Sequence, residues 1–283
     1  MKTEEQALFA GQAPEHLREW WLAQLGKKPV AFYRTRTWKA GELIEAEIYP
    51  IYERPRGGKR EHRAKPTREA MQRVNDTNTR RKITRYINAN FTERDIWLTV
   101  TYAPDKIPAT PEEARKDLQA WLRRIKRRRA RNGLGPPKYL YVTEWADKDG
   151  KPTHAHHHIV MDGELDRDTV EKSWGKGRTN CRRLQPDDFG LSGLAAYISK
   201  GKRHAKRWGR SKGLKYPTPT VADHKISKRQ ARRIAENEHE AQEVFKNAFP
   251  AARLLDIEVR YSEVIPGAYI YARLKKELRR KKE

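Results

Sequence analysis

Apolar residues recur along this chain in two periods, and the switches between them outline its elements. "DIWLTVTY" (95–102) is rich in β-branched and aromatic residues and predicts a buried strand. Over 110–133, Leu118, Trp121, Leu122 and Ile125 return at helical spacing and form one stripe. Thr110 predicts the N-cap of that helix, Pro111 its first turn, Glu112 and Glu113 sit near its positive end, and Gly133 closes it. "KYLYVTEW" (138–145) and "HAHHHIVM" (154–161) read as strands, joined by "ADKDGKP" with Asp149-Gly150 as the hairpin signal. "DRDTVEKSWG" predicts a short helix capped by Asp166 or Asp168, and "RTNCRRL" a further strand. "GLSGLAAYISKGKRHAKRW" contains a helix that carries Tyr197 and Lys200.

The flanks follow the same rules. Residues 1–28 predict a helix with Leu17, Trp20, Trp21, Leu22 and Leu25 on its apolar side. "VAFYRTRTWKAGELIEAEIYPIY" alternates partly and turns at "KAGE", a β-hairpin pattern. "ERPRGGKREHRAKP" (53–66) reads as a linker or a DNA-contacting loop. Residues 67–88 predict a helix burying Met71, Val74, Ile83, Tyr86 and Ile87, and 227–248 a strongly charged helical stretch. "LLDIEVRYSEVIPGAYIYARL" predicts a last hairpin, followed by the basic tail "KKELRRKKE". From 95 to about 202 the order is strand, helix, strand, strand, helix, strand, helix. That order suits an α+β fold: a ferredoxin- or RRM-like antiparallel sheet with helices on one face. Three parts are expected: 1–66, an N-terminal helix, hairpin and basic linker; 67–216, the central domain; and 217–283, a C-terminal helix, hairpin and basic tail.

Charge changes the picture next. Of 283 residues, 62 are Lys or Arg and 37 are Asp or Glu, for a net charge of +25 and a pI near 10.1. Such an excess points to a polyanionic partner, with nucleic acid the commonest. Arg123, Arg124, Lys126, Arg127, Arg128, Arg129 and Arg131 cluster on one predicted helix. Lys202, Arg203, Lys206 and Arg207 follow Tyr197, with Trp208 among the cations as an aromatic that could stack on an unpaired base. One cysteine, Cys181, excludes an intrachain disulfide framework or a thiolate zinc cluster. The first residues carry acids where a signal peptide has a basic head. No apolar run reaches the roughly 18 residues of a membrane span. A cytoplasmic protein without a membrane partner is expected.

The chemistry concentrates in "THAHHHIVM". Four of the nine histidines fall between 154 and 158. On a strand, His154, His156 and His158 share one face and His157 the other. Same-face histidines two apart can chelate a divalent ion, and Glu144, near the end of the preceding strand, is placed to add a carboxylate. The pair His156 and His158 is favoured, with His154 a further ligand or a substrate contact. The competing reading is a half-exposed strand that happens to be His-rich. Downstream, Tyr197 and Lys200 lie three apart on one helical face. A tyrosine can attack a phosphodiester and hold a covalent intermediate. Alone, Y-x-x-K is a very weak motif and core packing of Tyr197 with Leu194 and Ile198 is the favoured reading; the histidine strand upstream shifts the weight to chemistry.

Taken together, "DIWLTVTY", "HHH" at 156–158 and "YISK" at 197–200 resemble the three ordered motifs of the HUH endonucleases, and most closely the single-tyrosine rolling-circle replication initiators of phages and plasmids. "NDTNTRRKITRYINANFTERDIWLTVTY" and the Trp and Gly of "KSWGKG" also look like the phage-type branch, so the likeness covers about 67–216. The middle position of the histidine motif is usually bulky and apolar in that family; here it is His157. The departure leaves both His154/His156 and His156/His158 open as the ligand pair. The resemblance implies a metal site of His156, His158 and Glu144 holding Mg2+ or Mn2+. It also implies Tyr197 as nucleophile, Lys200 as its helper, and single-stranded DNA at a replication origin as substrate. The product would be a 5′-phosphotyrosine and a free 3′-OH that serves a host helicase and polymerase. A transposase or relaxase of the same group, a water-using metal hydrolase, and a basic nucleic-acid-binding protein without catalysis are the alternatives. No phosphate-binding Walker A pattern is present, so no fused helicase is expected.

Overall fold

A computed structural model describes residues 30–53, 68–146, 152–199, 206–260 and 267–277. In chain order the elements begin with β1 (Val30–Ala40), β2 (Leu43–Tyr52), α1 (Arg68–Asn90), β3 (Ile96–Val100) and α2 (Pro111–Arg131). They continue with β4 (Tyr139–Ala146), β5 (Pro152–Met161), α3 (Arg167–Lys172), β6 (Thr179–Arg183), α4 (Ser192–Ser199) and β7 (Lys206–Arg210). The last are β8 (Thr220–Asp223), α5 (Lys228–Glu236), α6 (Ala241–Ala248), β9 (Ala252–Arg260) and β10 (Tyr269–Lys276). The expected helix over 1–28, the Asp149-Gly150 turn and nearly all of the basic segment 53–66 lie outside the described residues. Among the described residues no helix is long and apolar enough to cross a membrane.

The fold is mixed α+β, and the described residues form two five-stranded antiparallel sheets, one in each of two compact units. One unit spans 66–216 and has strand order β6-β3-β5-β4-β7. Its run β3-α2-β4-β5-α3-β6 places the fourth, first, third and second strands side by side, the interleaved split β-α-β arrangement of a ferredoxin-like sheet. β7 adds a fifth strand against β4, which the sequence pattern does not foretell. The caps are local. The Thr110 hydroxyl accepts from the Glu113 N–H at 3.2 Å, and the Asp166 carboxylate from the Thr169 N–H at 2.9 Å, which settles the choice between Asp166 and Asp168.

This sheet carries helices on both faces, not one. On the first face Ile96, Leu98, Val100, Ile159 and Met161 pack against Ala114, Leu118, Trp121 and Ile125 of α2 and Val170 of α3. Burying Leu118 and Ile125 contributes about 1.5–3 kcal/mol each. On the second face Leu140, Val142 and Val160 pack against Ile83, Tyr86 and Ile87 of α1 and Leu191, Ala195 and Ile198 of α4. The cause is in the strands: Leu140 and Val142 alternate with Tyr139 and Tyr141, so both parities of β4 are apolar and both must be covered. Among the described side chains of α1 the buried ones begin at Ile83, and the side chain of Met71, expected inside, lies outside the described residues. Val74, expected inside, is 55% exposed.

The other unit joins residues 1–65 with 217–283. The sequence pattern leaves these segments as two separate extensions, but their strands form one sheet in the order β8-β1-β2-β10-β9. Gly41 takes a φ of 62° at the β1–β2 turn, the position expected from "KAGE". The helical stretch expected over 227–248 is two helices, because Asn237 leaves helical geometry at φ −147°. Ile234, Val244 and Phe245 of this pair belong to one core with Ala46, Ile48, Ile270 and Ala272 of the sheet.

Candidate active site

β5 sends its histidines to opposite faces of the central unit's sheet. In register, His158 lies between Val142 and Thr99, and His156 lies opposite Glu144. These residues belong to the second face, the one covered by α1 and α4. His158 is buried, Glu144 and His156 are half-buried, and His154 is exposed farther along the strand. The Nε2 of His158 stands 3.3 Å from Oε2 of Glu144, while its Nδ1 is 3.1 Å from Oγ1 of Thr99. A threonine hydroxyl can donate or accept, so Thr99 supports either tautomer of the ring and leaves Nε2 free to donate to Glu144 or to offer a lone pair. Burial holds His156 below the ordinary imidazole range, aided by His158 and opposed by Glu144, with His154 lowering it further. It is therefore neutral near pH 7, the form that binds metals. Among the described residues, no three His, Cys, Asp or Glu side chains gather closely enough to hold an ion as they stand.

His157 has a different task. It is fully buried on the first face, with Thr143 Oγ1 2.9 Å from Nδ1, Tyr102 Oη 3.0 Å from Nε2 and the Trp174 ring 5.7 Å away. Both ring nitrogens are satisfied, so an imidazole fills an apolar position without an orphaned polar atom. Burial, with the neighbouring His158 and His156, pushes its pKa down to about 3. Burial, with Asp117 alongside, pushes the Tyr102 phenol well up, so that hydroxyl keeps its proton.

Tyr197 stands on α4 and is 58% exposed, so it is not a core residue. Its ring meets Trp97 edge-on at 5.7 Å and His158 edge-on at 6.0 Å, an arrangement aromatic quadrupoles favour. α4 is anchored from α1: the Asn88 carbonyl accepts from the Leu191 N–H at 2.8 Å, and its amide donates to the Ser192 hydroxyl at 3.4 Å. Tyr197, His158, Glu144 and Thr99 thus share one neighbourhood. Lys200 lies outside the described residues, as do Lys202 and Arg203.

The basic residues divide. Arg123, Lys126, Arg127 and Arg128 are exposed, but on α2, which covers the face opposite Tyr197. Arg124 donates to the carbonyls of Ser173 and Trp174 at 3.2 Å each and so braces the α3 turn. Arg129, counted with the DNA-facing cluster from sequence, is buried and pairs with Asp162. The helix stripe explains it: Arg129 falls four residues after Ile125, on the packed side. β7 places Lys206 and Arg207 opposite Glu144 and Thr143 in register. Trp208, opposite Val142, packs against the second-face core with its ring 6.2 Å from Tyr86, rather than standing free for a base.

Sequence reasoning misses Thr99 and Trp97. Their signal is the alternation in "IWLTV", where both occupy the parity opposite the apolar one. Only the pairing of β3 with β5 brings them to His158 and Tyr197.

Residues 95–202 match the family model of the ORF2-type replication-associated proteins. The match covers the strands and helix that carry Glu144, the histidines and Tyr197, and is consistent with a role in replication and with DNA as partner. No curated protein and no solved structure matches the chain.

Proposed function

We propose that the central unit is a metal-dependent single-strand DNA endonuclease of the HUH type that starts rolling-circle replication. One observation carries the reading: an exposed tyrosine stands edge-on to a buried histidine that already contacts a carboxylate, all on one face of the sheet. Two imidazoles and one carboxylate, His156, His158 and Glu144, suit a divalent ion such as Mg2+ or Mn2+, with His154 as a further candidate ligand. When bound, the ion draws charge from a phosphoryl oxygen.

The chain's own groups do the rest. The Tyr197 oxygen attacks the scissile phosphorus, forming the Tyr–O–P bond as the bond to the 3′ oxygen breaks. The phenol proton is lost as the leaving oxygen gains one, so the products are a 5′-phosphotyrosine and a free 3′-OH. Trp97 and His158 limit the swing of the ring, which lowers the entropy cost of attack. Lys200, three residues on, steadies the charge that develops. The phosphodiester energy is kept in the covalent link, so joining to a new 3′-OH needs no nucleotide cofactor. The free 3′-OH is a primer for a host polymerase, with a host helicase supplying the single strand.

The test is incubation with single-stranded origin DNA and Mn2+, read on a denaturing gel for a protein–DNA adduct. The adduct should vanish in EDTA and return with Mn2+. Cleavage by a Tyr197→Phe variant would replace this reading with a water-using hydrolase.

A further inference from the structure

Among the described residues β6 forms one outer edge of the central sheet and pairs only with β3. Its register sets Asn180 opposite Thr99 and Arg182 opposite Trp97. Thr99 and Trp97 are the second-face residues of β3, so Asn180 and Arg182 point to the face that carries Tyr197. Arg178, just before the strand, has the same parity, and its carbonyl accepts from the Thr101 N–H at 2.9 Å. All three side chains are exposed. Asn180, Thr99 and His158 form one row across the sheet. With strands about 4.8 Å apart, Asn180 lies roughly 10 Å from His158.

The charge on this strip is uncompensated. Among the described residues neither Arg178 nor Arg182 forms an ion pair, whereas Arg129 and Arg273 are each held by an acid. Among the described residues the side-chain hydrogen bond of the strip is internal: Arg182 Nε donates to Asn180 Oδ1 at 3.3 Å. That bond uses the Asn180 oxygen and the Arg182 Nε, so the amide N–H groups of Asn180 and the outer nitrogens of Arg182, on exposed side chains, can still donate to a ligand. Two guanidiniums flanking an amide, exposed along an edge strand, match an extended phosphodiester chain. A duplex would need a groove-entering element, which this edge does not offer.

We infer that the face of β6 formed by Arg178, Asn180 and Arg182 is the track on which single-stranded DNA lies as it reaches Tyr197. The inference rests on the endonuclease reading and adds the side chains that position the strand. It also moves the substrate surface away from the exposed arginines of α2, which lie across the sheet.

The test uses the full chain in EDTA, so that nothing is cut, with a short fluorescein-labelled single-stranded oligonucleotide and its duplex as probes. Arg178→Gln/Arg182→Gln should weaken single-strand binding by about tenfold or more and lower the salt slope by about 1.4, two phosphates at about 0.7 each. Its melting temperature should match the wild type, because both side chains are exposed. Arg123→Gln/Lys126→Gln/Arg127→Gln should cause a clearly smaller loss on the single strand. Wild-type binding by the β6 variant overturns the inference, as does a loss confined to the duplex. Covalent adduct formation by the wild type is scored separately with Mn2+. If the adduct forms and the β6 variant binds normally, the track falls and the endonuclease stands. If no adduct forms and the β6 variant still loses affinity, the endonuclease falls and the binding strip stands.

Discussion

Replacing Arg129 by Met should destabilise the central unit without touching its substrate surface. Arg129 is 2% exposed, donates to the Gly135 carbonyl at 2.7 Å, and pairs with Asp162 and Glu164. Asp162 in turn accepts from the Lys138 N–H at the start of β4. Burial pushes the Asp162 carboxyl up, and the Lys138 N–H and Arg129 only partly pull it back. Ionised Asp162 is therefore expensive even when paired. Losing the guanidinium leaves a buried carboxylate with one hydrogen bond, which costs about 3–5 kcal/mol. Gly135 and Glu164 add little, since both are exposed and water replaces the lost contact. Arg129→Met/Asp162→Asn removes both charges and keeps an acceptor for Lys138, so it should return to within about 1–2 kcal/mol of the wild type. Urea titration followed by tryptophan fluorescence reads this, because Trp121, on the same helix as Arg129, packs with its ring 6.0 Å from Trp174. Folded Arg129→Met should bind single-stranded DNA as the wild type does. A single variant within about 0.5 kcal/mol of wild type, or a double variant no better than the single, would refute the argument.

Tyr197→Phe should abolish the covalent adduct while DNA affinity stays within about twofold, since only an exposed hydroxyl is lost; a DNA-linked peptide containing Tyr216 instead would move the nucleophile. Thr99→Val keeps the shape but removes the hydroxyl on His158 Nδ1, and should raise the Mn2+ concentration for half-maximal nicking about 10–100-fold; an unchanged Mn2+ titration would show that Thr99 does not orient the ring. Acid stability should report His157. Its folded pKa, about 3, lies below the unfolded value near 6.5, so its contribution is complete above pH 6.5 and is lost as pH falls toward 3. About 2 kcal/mol should be gone at pH 5. His157→Leu should lose that part of the slope, and an identical acid profile in the two proteins would remove His157 as its source.

Most elements of the central unit are legible in the sequence because local signals agree with the fold. Thr110, Pro111 and the Leu118–Ile125 stripe define α2 without help from tertiary contacts. The parity of the histidines on β5 follows from strand geometry alone. Three things are not legible, and each depends on pairing. That β3 lies beside β5, bringing Thr99 to His158, is a matter of strand order. That α2 and α4 cover opposite faces decides which cations share a surface with Tyr197, and a charge count cannot see it. β7 and β8 are short strands, four or five residues long, whose polar sequences gain strand geometry only from β4 and β1. Arg129 shows the same limit in one residue: the helix stripe puts it on the packed side, but that a charge is kept there depends on Asp162, which only the fold brings to it.

The sheet built from both flanks of the central unit has a consequence for how the protein is made. β1 and β2 leave the ribosome before that unit does, but three of the five strands in their sheet come from 217–283. A lone hairpin is marginal in water. The sequence for 66–216 is complete while the 67 residues of 217–283 are still to be synthesised, an interval of about 3–13 s. That is long against the folding time of a small α+β unit. The central unit should therefore fold first on the ribosome, while β1 and β2 wait with open edges. A translating chain stalled after residue 216 has emerged should resist protease within 96–146 and 152–199 yet be cut within 30–52, and loss of the last strands should send the protein into aggregates through that waiting hairpin rather than through the tyrosine-bearing half.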